Sequence, residues 1–314
     1  MSILSVASAV GIYLLIVIGA VVRVTGSGLG CPDWPLCYGN VIPPMESAAL
    51  LEWSHRTFAA IVSAILAATA LVAWISHRAN RLIIIPMIAV LPLLLFQILL
   101  GAVTVILELP PMIVLVHLTI AMILLALVIL ASVTAIFDPY PAQPASPGAV
   151  DRTKGRRGLR LVYWTGLALF LLLLSGAFVR ATGATWICAG FPLCNGELMF
   201  GNHLMDIHMT HRIAAVVVGS LVLFTVWRAA SQRNTSNRIS VAALFVTAAI
   251  AFQIGVGIWT VSTQAPALLR GLHVAGSAAV WSAYVAFAVL AYQRAKRSGD
   301  SASVNPADMH TQSG

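Results

Sequence analysis

The sequence predicts an all-α integral membrane protein, with eight transmembrane helices arranged as two tandem, pseudo-twofold-related four-helix bundles. The apolar composition, the number of hydrophobic runs and an internal repeat lead to this prediction. Of the 314 residues, 60% are hydrophobic and 9% are charged, against roughly 45–50% and about 25% in soluble domains. This composition excludes a soluble enzyme and a disordered chain. It also excludes a nucleic-acid-binding protein, because the net charge of +8 is spread through apolar sequence.

Eight apolar runs are long enough to cross a bilayer, which takes about 20 residues in a helix. They fall near residues 3–22, 50–74, 82–106, 112–136, 159–179, 206–228, 239–262 and 268–292. The first run lacks the basic start and the small-residue cleavage site of a signal peptide, so we expect it to be a membrane span. Together the runs account for the apolar excess, and we expect no separate soluble domain.

The basic residues predict a multi-pass protein of the cell membrane with both termini in the cytoplasm. Of the 18 Lys and Arg residues, 13 lie on the side that follows the even-numbered runs and five lie on the opposite side. With their acidic neighbours, the two sides carry net charges of +9 and −1. Because cytoplasmic loops are enriched in Lys and Arg, the first side is predicted to be cytoplasmic.

An internal repeat relates the two halves of the chain. GAVVRVTGSGLGCPDWPLCYG at 19–39 returns 157 residues later as GAFVRATGATWICAGFPLCNG, and FQILLGAVTV at 96–105 returns 156 residues later as FQIGVGIWTV. Each copy holds four runs, an even number, so we expect both copies to have the same orientation about an axis along the membrane normal.

The repeat divides the chain into four parts. We expect an N-terminal bundle at 1–136 and a C-terminal bundle at 159–293, joined by a cytoplasmic linker at 137–158 that is rich in Pro and Arg. A polar tail at 294–314 follows, and we expect it to be disordered in the cytoplasm.

Four histidines inside the predicted spans are the clearest sign of chemistry, because ionisable residues are costly in a membrane. His55 and His117 are 62 residues apart, as are His211 and His273, so each bundle has one histidine on its second helix and one on its fourth. Each lies about five residues from the outer end of its helix, a depth of about 8 Å. Two level imidazoles in an apolar bundle suit the two axial positions of a heme iron. A structural zinc, which usually takes four ligands, and hydrogen bonding between helices are the alternatives.

Four of the five outer arginines form repeat pairs, Arg23 with Arg180 and Arg56 with Arg212. They lie on the side where the orientation rule disfavours positive charge, so we expect an anion near them. Heme propionates are suitable anions, since a guanidinium binds a carboxylate through two hydrogen bonds. The alternative is that Arg56 and Arg212 only extend to the membrane interface.

Two cysteine pairs lie in the outer loops that follow the first helix of each repeat: Cys31 with Cys37, and Cys188 with Cys194. The outer compartment is oxidising, and the short, repeated spacing favours one local disulfide in each loop. Free thiols or a redox-active dithiol are the alternatives.

Position 52 breaks the repeat, because Glu52 has His208 as its counterpart 156 residues later. Residues three apart share a helix face, so Glu52 is predicted to face the same cavity as His55, where an acid or base is useful. The alternative is a glutamate that lies in water at the interface. Gln97 and Gln253, also repeat counterparts, are predicted to be hydrogen-bond donors between helices.

The segments TGSGLGCPDWPLC and EWSHR with His117, repeated as ATGATWICAGFPLC and THR with His273, resemble the heme A synthase family over residues 19–293. The resemblance implies an oxidoreductase that acts on a CH group. Such an enzyme converts heme O to heme A for terminal oxidase assembly, by oxidising a ring methyl group to a formyl group through successive hydroxylations.

The resemblance also implies residue roles and partners. His55 and His117 would face heme O as substrate, Glu52 would be the catalytic carboxylate, and His211 and His273 would ligate heme b. The implied partners are a heme O synthase and an electron-transfer partner such as a quinone.

Two other classes of membrane protein are alternatives. A bis-histidine diheme protein could carry electrons to quinone without a heme substrate, but electron transfer alone gives no reason for the unmatched Glu52. A transporter built from parallel repeats would favour helices broken at the midplane, and the sequence shows no convincing example.

Overall fold

The computed structural model describes residues 1–137, 152–196, 201–232 and 235–301. Within these ranges the fold is all-α, and each of its eight α-helices is long and apolar enough to cross a membrane, as predicted. The helices are α1 (Ser2–Val24), α2 (Ser47–Ser76), α3 (Arg81–Ile106), α4 (Pro111–Phe137), α5 (Arg152–Ala181), α6 (His203–Ala230), α7 (Asn237–Ser262) and α8 (Ala267–Ser301).

Several helices extend beyond the apolar runs that predict them. The Asn202 side chain accepts the N–H of Leu204 at 2.9 Å, so α6 starts three residues before its predicted run. Helix α5 begins at Arg152, inside the predicted linker, and α8 continues to Ser301, inside the predicted tail. The apolar runs end where the sequence becomes polar, which predicts where a helix leaves the membrane. The helix itself can continue further, because Arg, Lys and Ala at these ends favour helix formation. Residues 138–151 of the linker and 302–314 of the tail lie outside the described ranges.

The helices pack as two closed sets of four. Helices α1 and α3 each contact both α2 and α4, and α5 and α7 each contact both α6 and α8. The two sets meet through α1, α4, α5 and α8, since α1 contacts α8 and α4 contacts both α5 and α8. Trp281 of α8 donates its indole N–H to the carbonyl of Met122 on α4 at 3.0 Å, which satisfies a buried polar group at this boundary.

Local structure repeats with the sequence. The hydroxyls of Ser8 and Thr69 join α1 to α2 at 2.9 Å, and those of Thr165 and Thr225, their repeat counterparts, join α5 to α6 at the same distance. The turn after α3 and the turn after α7 each use two consecutive residues with positive φ. The pseudo-twofold relation between the whole bundles stays a prediction.

Candidate functional site

Each of the four histidines packs against a glycine on the preceding helix. A Cβ atom added to Gly19 would lie 3.0 Å from Cε1 of His55, and one added to Gly176 would lie 2.9 Å from Cε1 of His211. The same arrangement joins Gly101 to His117 at 3.3 Å and Gly257 to His273 at 3.2 Å. The glycines therefore let each imidazole lie directly against the neighbouring backbone, where a larger residue would push the ring away.

The histidines of each set lie close enough to interact electrostatically, His55 with His117 and His211 with His273. All four side chains are half-buried, so each ring keeps some accessible surface. His55 lies eight residues after the start of α2 and His117 six residues after the start of α4, slightly further from the helix ends than predicted because the helices begin earlier.

A second residue fixes the ring of His211. The Ser175 hydroxyl donates to the Leu172 carbonyl at 2.7 Å, and its oxygen lies 2.8 Å from Nδ1 of His211. With the hydroxyl hydrogen on the Leu172 carbonyl, the serine oxygen can accept a hydrogen bond from Nδ1–H of His211, which would leave the lone pair of Nε2 free. This arrangement is the usual one for a metal-ligating histidine.

Among the described residues, the corresponding ring of the N-terminal bundle, that of His55, has no such partner. The repeat counterpart of Ser175 is Ile18, which cannot accept a hydrogen bond. Nδ1 of His55 is buried without a hydrogen-bond partner among the described residues, and so is Nδ1 of His117. The two histidine pairs therefore differ in how firmly their rings are oriented.

The glutamines join the last two helices of each set, as predicted. Gln97 donates its side-chain N–H to the carbonyl of His117 at 3.1 Å, and Gln253 donates to the carbonyl of His273 at 3.0 Å. Gln253 also lies 3.2 Å from Nδ1 of His273 and donates to the hydroxyl of Ser277 at 2.7 Å. The C-terminal pair again has the denser hydrogen-bond network.

These observations fit axial ligation of a heme in each set. Two neighbouring imidazoles supply two nitrogen ligands, the number that a heme iron takes from the protein when both of its faces are ligated. In the C-terminal set, the contact between Nδ1 of His211 and Ser175 leaves Nε2 as the nitrogen that could ligate a heme iron. In the N-terminal set, Nδ1 of His55 and Nδ1 of His117 have no hydrogen-bond partner among the described residues that would orient the rings.

Glu52 is buried, with a relative exposure of 5%, and is not a glutamate in water at the interface. Its Oε1 accepts a hydrogen bond from Nε of Arg56 at 2.9 Å, and Oε2 stays outside this ion pair. The counterpart His208 is also buried, but its Nδ1 lies 2.9 Å from the Ala184 carbonyl. Where the first repeat has a carboxylate paired with an arginine, the second repeat therefore has a histidine that contacts a loop carbonyl.

Arg56 also holds the loop between α1 and α2 (residues 25–46, loop 1). Its Nη1 donates to the carbonyls of Asp33 at 2.6 Å and Leu36 at 2.9 Å, and its Nη2 donates to the carbonyl of Cys31 at 2.9 Å. All three nitrogens of the guanidinium therefore have partners within the protein. This role was not expected from the sequence, which suggested a propionate or the interface.

Arg212 acts similarly on the described part of the loop between α5 and α6 (residues 182–202, loop 2). Its Nη1 donates to the carbonyls of Gly190, Pro192 and Leu193 at 3.0–3.3 Å. Its Nε and Nη2 are buried without partners among the described residues. Nε and Nη2 of Arg212 can therefore still donate hydrogen bonds to a ligand, whereas the same atoms of Arg56 already donate within the protein.

Both loops contain the predicted local disulfides. Cys31 is bonded to Cys37 and Cys188 to Cys194, and the Cα atoms of each pair are 4.7 Å apart. The described residues contain no free cysteine.

A carboxylate organises the tip of loop 1. The hydrogen bond from the Gly39 N–H to Asp33, together with that from the Tyr38 N–H and the nearby charge of Arg56, holds the pKa of the Asp33 carboxyl below its usual value, against a smaller opposing effect of desolvation. The counterpart of Asp33 in loop 2 is Gly190, so loop 2 lacks this charged contact.

Known proteins identify the family to which this architecture belongs. The sequence model of the COX15-CtaA family, described as cytochrome oxidase assembly protein, matches residues 2–50 and 45–285. The chain belongs to this family.

Curated relatives of this COX15-CtaA member are named heme A synthase. The relative from Alkalihalophilus pseudofirmus is 32% identical over 239 residues, which cover 74% of this chain and 78% of the relative. The relative from Shouchella clausii is 31% identical over 278 residues, covering 86% and 89%. The relative from Symbiobacterium thermophilum is 31% identical over 267 residues, covering 78% of this chain and 81% of the relative.

Two residues of the site were missed by the sequence analysis. Ser175 could have been found by comparing the neighbours of each histidine across the repeat, because serine takes the place of the isoleucine at position 18. Arg270, the fifth outer arginine, lies one turn before His273 and stacks over the Trp186 ring at 4.9 Å. Its counterpart is Val114, so a search for repeated residues passes over it.

Proposed function

We propose that this chain is a heme A synthase, which oxidises a ring methyl group of heme O to the formyl group of heme A for terminal oxidase assembly. Family membership and the names of the curated relatives support this activity. The observation that carries the residue assignment is the asymmetry between two otherwise matched histidine pairs. The electron-transfer alternative gains no support from the comparisons and leaves that asymmetry unexplained.

We assign the N-terminal bundle, 1–136, to the substrate and the C-terminal bundle, 159–293, to a resident heme b. The hydrogen bond between His211 and Ser175 favours permanent ligation by His211 and His273, because an oriented imidazole strengthens metal binding. His55 and His117 lack partners for Nδ1, which suits a ligand that must enter and leave. A resident heme b would supply one-electron redox chemistry at the C-terminal site.

Glu52 is proposed as the catalytic carboxylate of the N-terminal bundle. With water as the source of oxygen, a methyl group and one water molecule give a formyl group, four protons and four electrons. Glu52 would accept protons through Oε2 or stabilise positive charge near the methyl group, while Arg56 fixes its position through Oε1. The electrons pass to a partner, for which a quinone is the candidate, and a heme O synthase is the candidate source of the substrate.

The arginines near the loops are candidates for binding heme propionates. Arg23, Arg180 and Arg212 have the capacity to do so, and a buried Nε without a partner on Arg23 and Arg212 supports the assignment. Arg56 is the weakest of the four candidates, because its nitrogens already donate to Glu52 and to loop 1. Its main role would be to position Glu52.

Replacing Glu52 tests the proposal. We expect Glu52→Ala and Glu52→Gln to retain heme in the purified protein and to lose heme A formation, because ligation depends on the histidines and oxidation on the carboxylate. Pigments extracted from the membranes and separated by chromatography would show heme O in place of heme A. Glu46→Gln, at an exposed carboxylate just before α2, is the matched control and should make heme A normally.

The outcomes separate the candidate functions. Full heme A formation by both Glu52 variants would overturn the catalytic assignment. Wild-type protein that contains heme b and makes no hydroxylated heme when given heme O would favour the electron-transfer protein. Wild-type protein without any heme would overturn both.

A further inference from the structure

Three arginines from both bundles gather at the boundary between them. Arg180 of α5 is close enough to interact electrostatically with Arg23 of α1 and Arg270 of α8. Arg23 and Arg180 line a small cavity of about 30 Å³ between α1, α4 and α5. Helix α8 approaches α1 beside it, where a Cβ atom added to Gly271 would lie 3.7 Å from Cγ2 of Val24.

Among the described residues, no ion pair joins a carboxylate to any of these three arginines. The Nε atoms of Arg23 and Arg270 are buried without hydrogen-bond partners among the described residues. Three like charges with orphaned donors destabilise each other unless an anion lies among them. Among the described residues, the cluster therefore has no anionic partner, and its charge favours an anion.

The level of the cluster is one that a heme carboxylate could reach. Arg23 and Arg180 each follow by four residues the glycine on which a histidine packs, Gly19 and Gly176, so they lie about 6 Å closer to the loops. Arg270 lies three residues before His273, about 4.5 Å further towards the loops. A carboxylate at the edge of a macrocycle held by the histidines would lie at this level if that edge faced the loops.

We propose that Arg23, Arg180 and Arg270 form one carboxylate-binding site, which takes a propionate of the heme held by His211 and His273. Two of the three arginines belong to the C-terminal bundle, and Arg270 is one turn from a ligand of that heme. Arg23 contributes from the other bundle, so the heme links the two halves of the molecule. This proposal rests on the proposed heme b site.

Heme dissociation from the full-length, heme b-loaded protein tests the site. We expect Arg23→Gln and Arg270→Gln to speed heme transfer to excess apomyoglobin about tenfold, because each loses a hydrogen bond to a charged group. The midpoint potential of the C-terminal heme should fall in both variants, since a nearby positive charge favours the ferrous state. Arg228→Gln, at an exposed arginine near the other end of α6, is the matched control and should change neither quantity.

Loading the same proteins with the dimethyl ester of heme b identifies the anion. The ester lacks free carboxylates, so wild type and Arg23→Gln should then release it at the same rate. A remaining difference with the ester, or a wild-type rate that changes with added phosphate, would indicate a free anion and overturn the proposal. Equal rates for Arg23→Gln and Arg228→Gln with heme b would also overturn it.

Two further results keep this test separate from the proposed activity. Arg23→Lys retains the charge but loses the planar fork, so it should release heme at an intermediate rate, and it replaces Arg23→Gln if that variant fails to fold. Wild-type protein that binds heme b and makes no heme A would overturn the proposed enzyme while leaving the arginine site testable.

Discussion

At the scale of single residues, the molecule is a repeat whose exceptions carry the chemistry. The histidines and the glycines that they contact are the same in both halves. In contrast, Glu52 has His208 as its repeat counterpart, and Ile18 has Ser175. The sequence alone predicted the histidine pairs because their spacing is repeated. It could not predict the hydrogen bond from His211 to Ser175, since that contact depends on how α5 and α6 pack.

Substitutions at positions 18 and 175 test whether hydrogen bonding to a histidine determines how long each bundle would retain a heme. Ser175→Ala should weaken heme b retention at least about tenfold, because His211 loses the partner that orients its ring. Ile18→Ser should slow release of heme from the N-terminal bundle by giving His55 a partner. Heme transfer to apomyoglobin measures both effects.

The control for these substitutions is Ser282→Ala. The Ser282 hydroxyl donates to the Ala278 carbonyl of its own helix, and its removal should leave both rates unchanged. If Ser175→Ala behaves like Ser282→Ala, hydrogen bonding to His211 does not distinguish the two bundles.

At the scale of elements, each disulfide loop is fastened to the helix that carries a histidine. Arg56 and Arg212 follow His55 and His211 by one residue and donate to carbonyls of loop 1 and loop 2. The spacing of the cysteines was sufficient to predict the disulfides. The arginine contacts were not predictable, because they depend on the path of the loop backbone, which includes residues with positive φ such as Tyr38 and Asn195.

Loop 1 should loosen in acid while loop 2 does not. Because the pKa of Asp33 is lowered in the folded loop, its carboxylate stabilises that loop at pH values above the pKa of an aspartate in the unfolded chain, about 3.9. As pH falls through the folded pKa, the carboxylate is protonated and this stabilisation is lost. Pepsin cleavage between pH 2 and pH 5, followed by mass spectrometry, should show cleavage in loop 1 that rises as the pH falls.

The variant Asp33→Asn should remove this pH dependence, because the amide stays neutral throughout the range. Loop 2 supplies the internal control, since Gly190 replaces the aspartate there. If both loops of the wild type become cleavable in parallel, the acid effect does not come from Asp33.

At the scale of the whole molecule, the two sets of helices differ in what could be predicted. Eight spans and their division into four and four follow from apolar length and from the repeat. The boundary between the sets does not, because nothing in the repeat says that α8 packs against both α1 and α4. The bond from Trp281 to the Met122 carbonyl and the position of Arg270 are consequences of that packing.

The charge distribution makes the orientation of the whole molecule testable. We expect both termini in the cytoplasm and the disulfide loops outside, because the side of the termini carries +9 and the loop side −1. The disulfides agree with this orientation, since such bonds persist in an oxidising compartment. A fluorescent protein fused after Gly314 should fluoresce, and alkaline phosphatase, which needs an oxidising compartment, should be active after Pro44 in loop 1. Active phosphatase after Gly314 would contradict the orientation and would place both disulfides on the reducing side of the membrane.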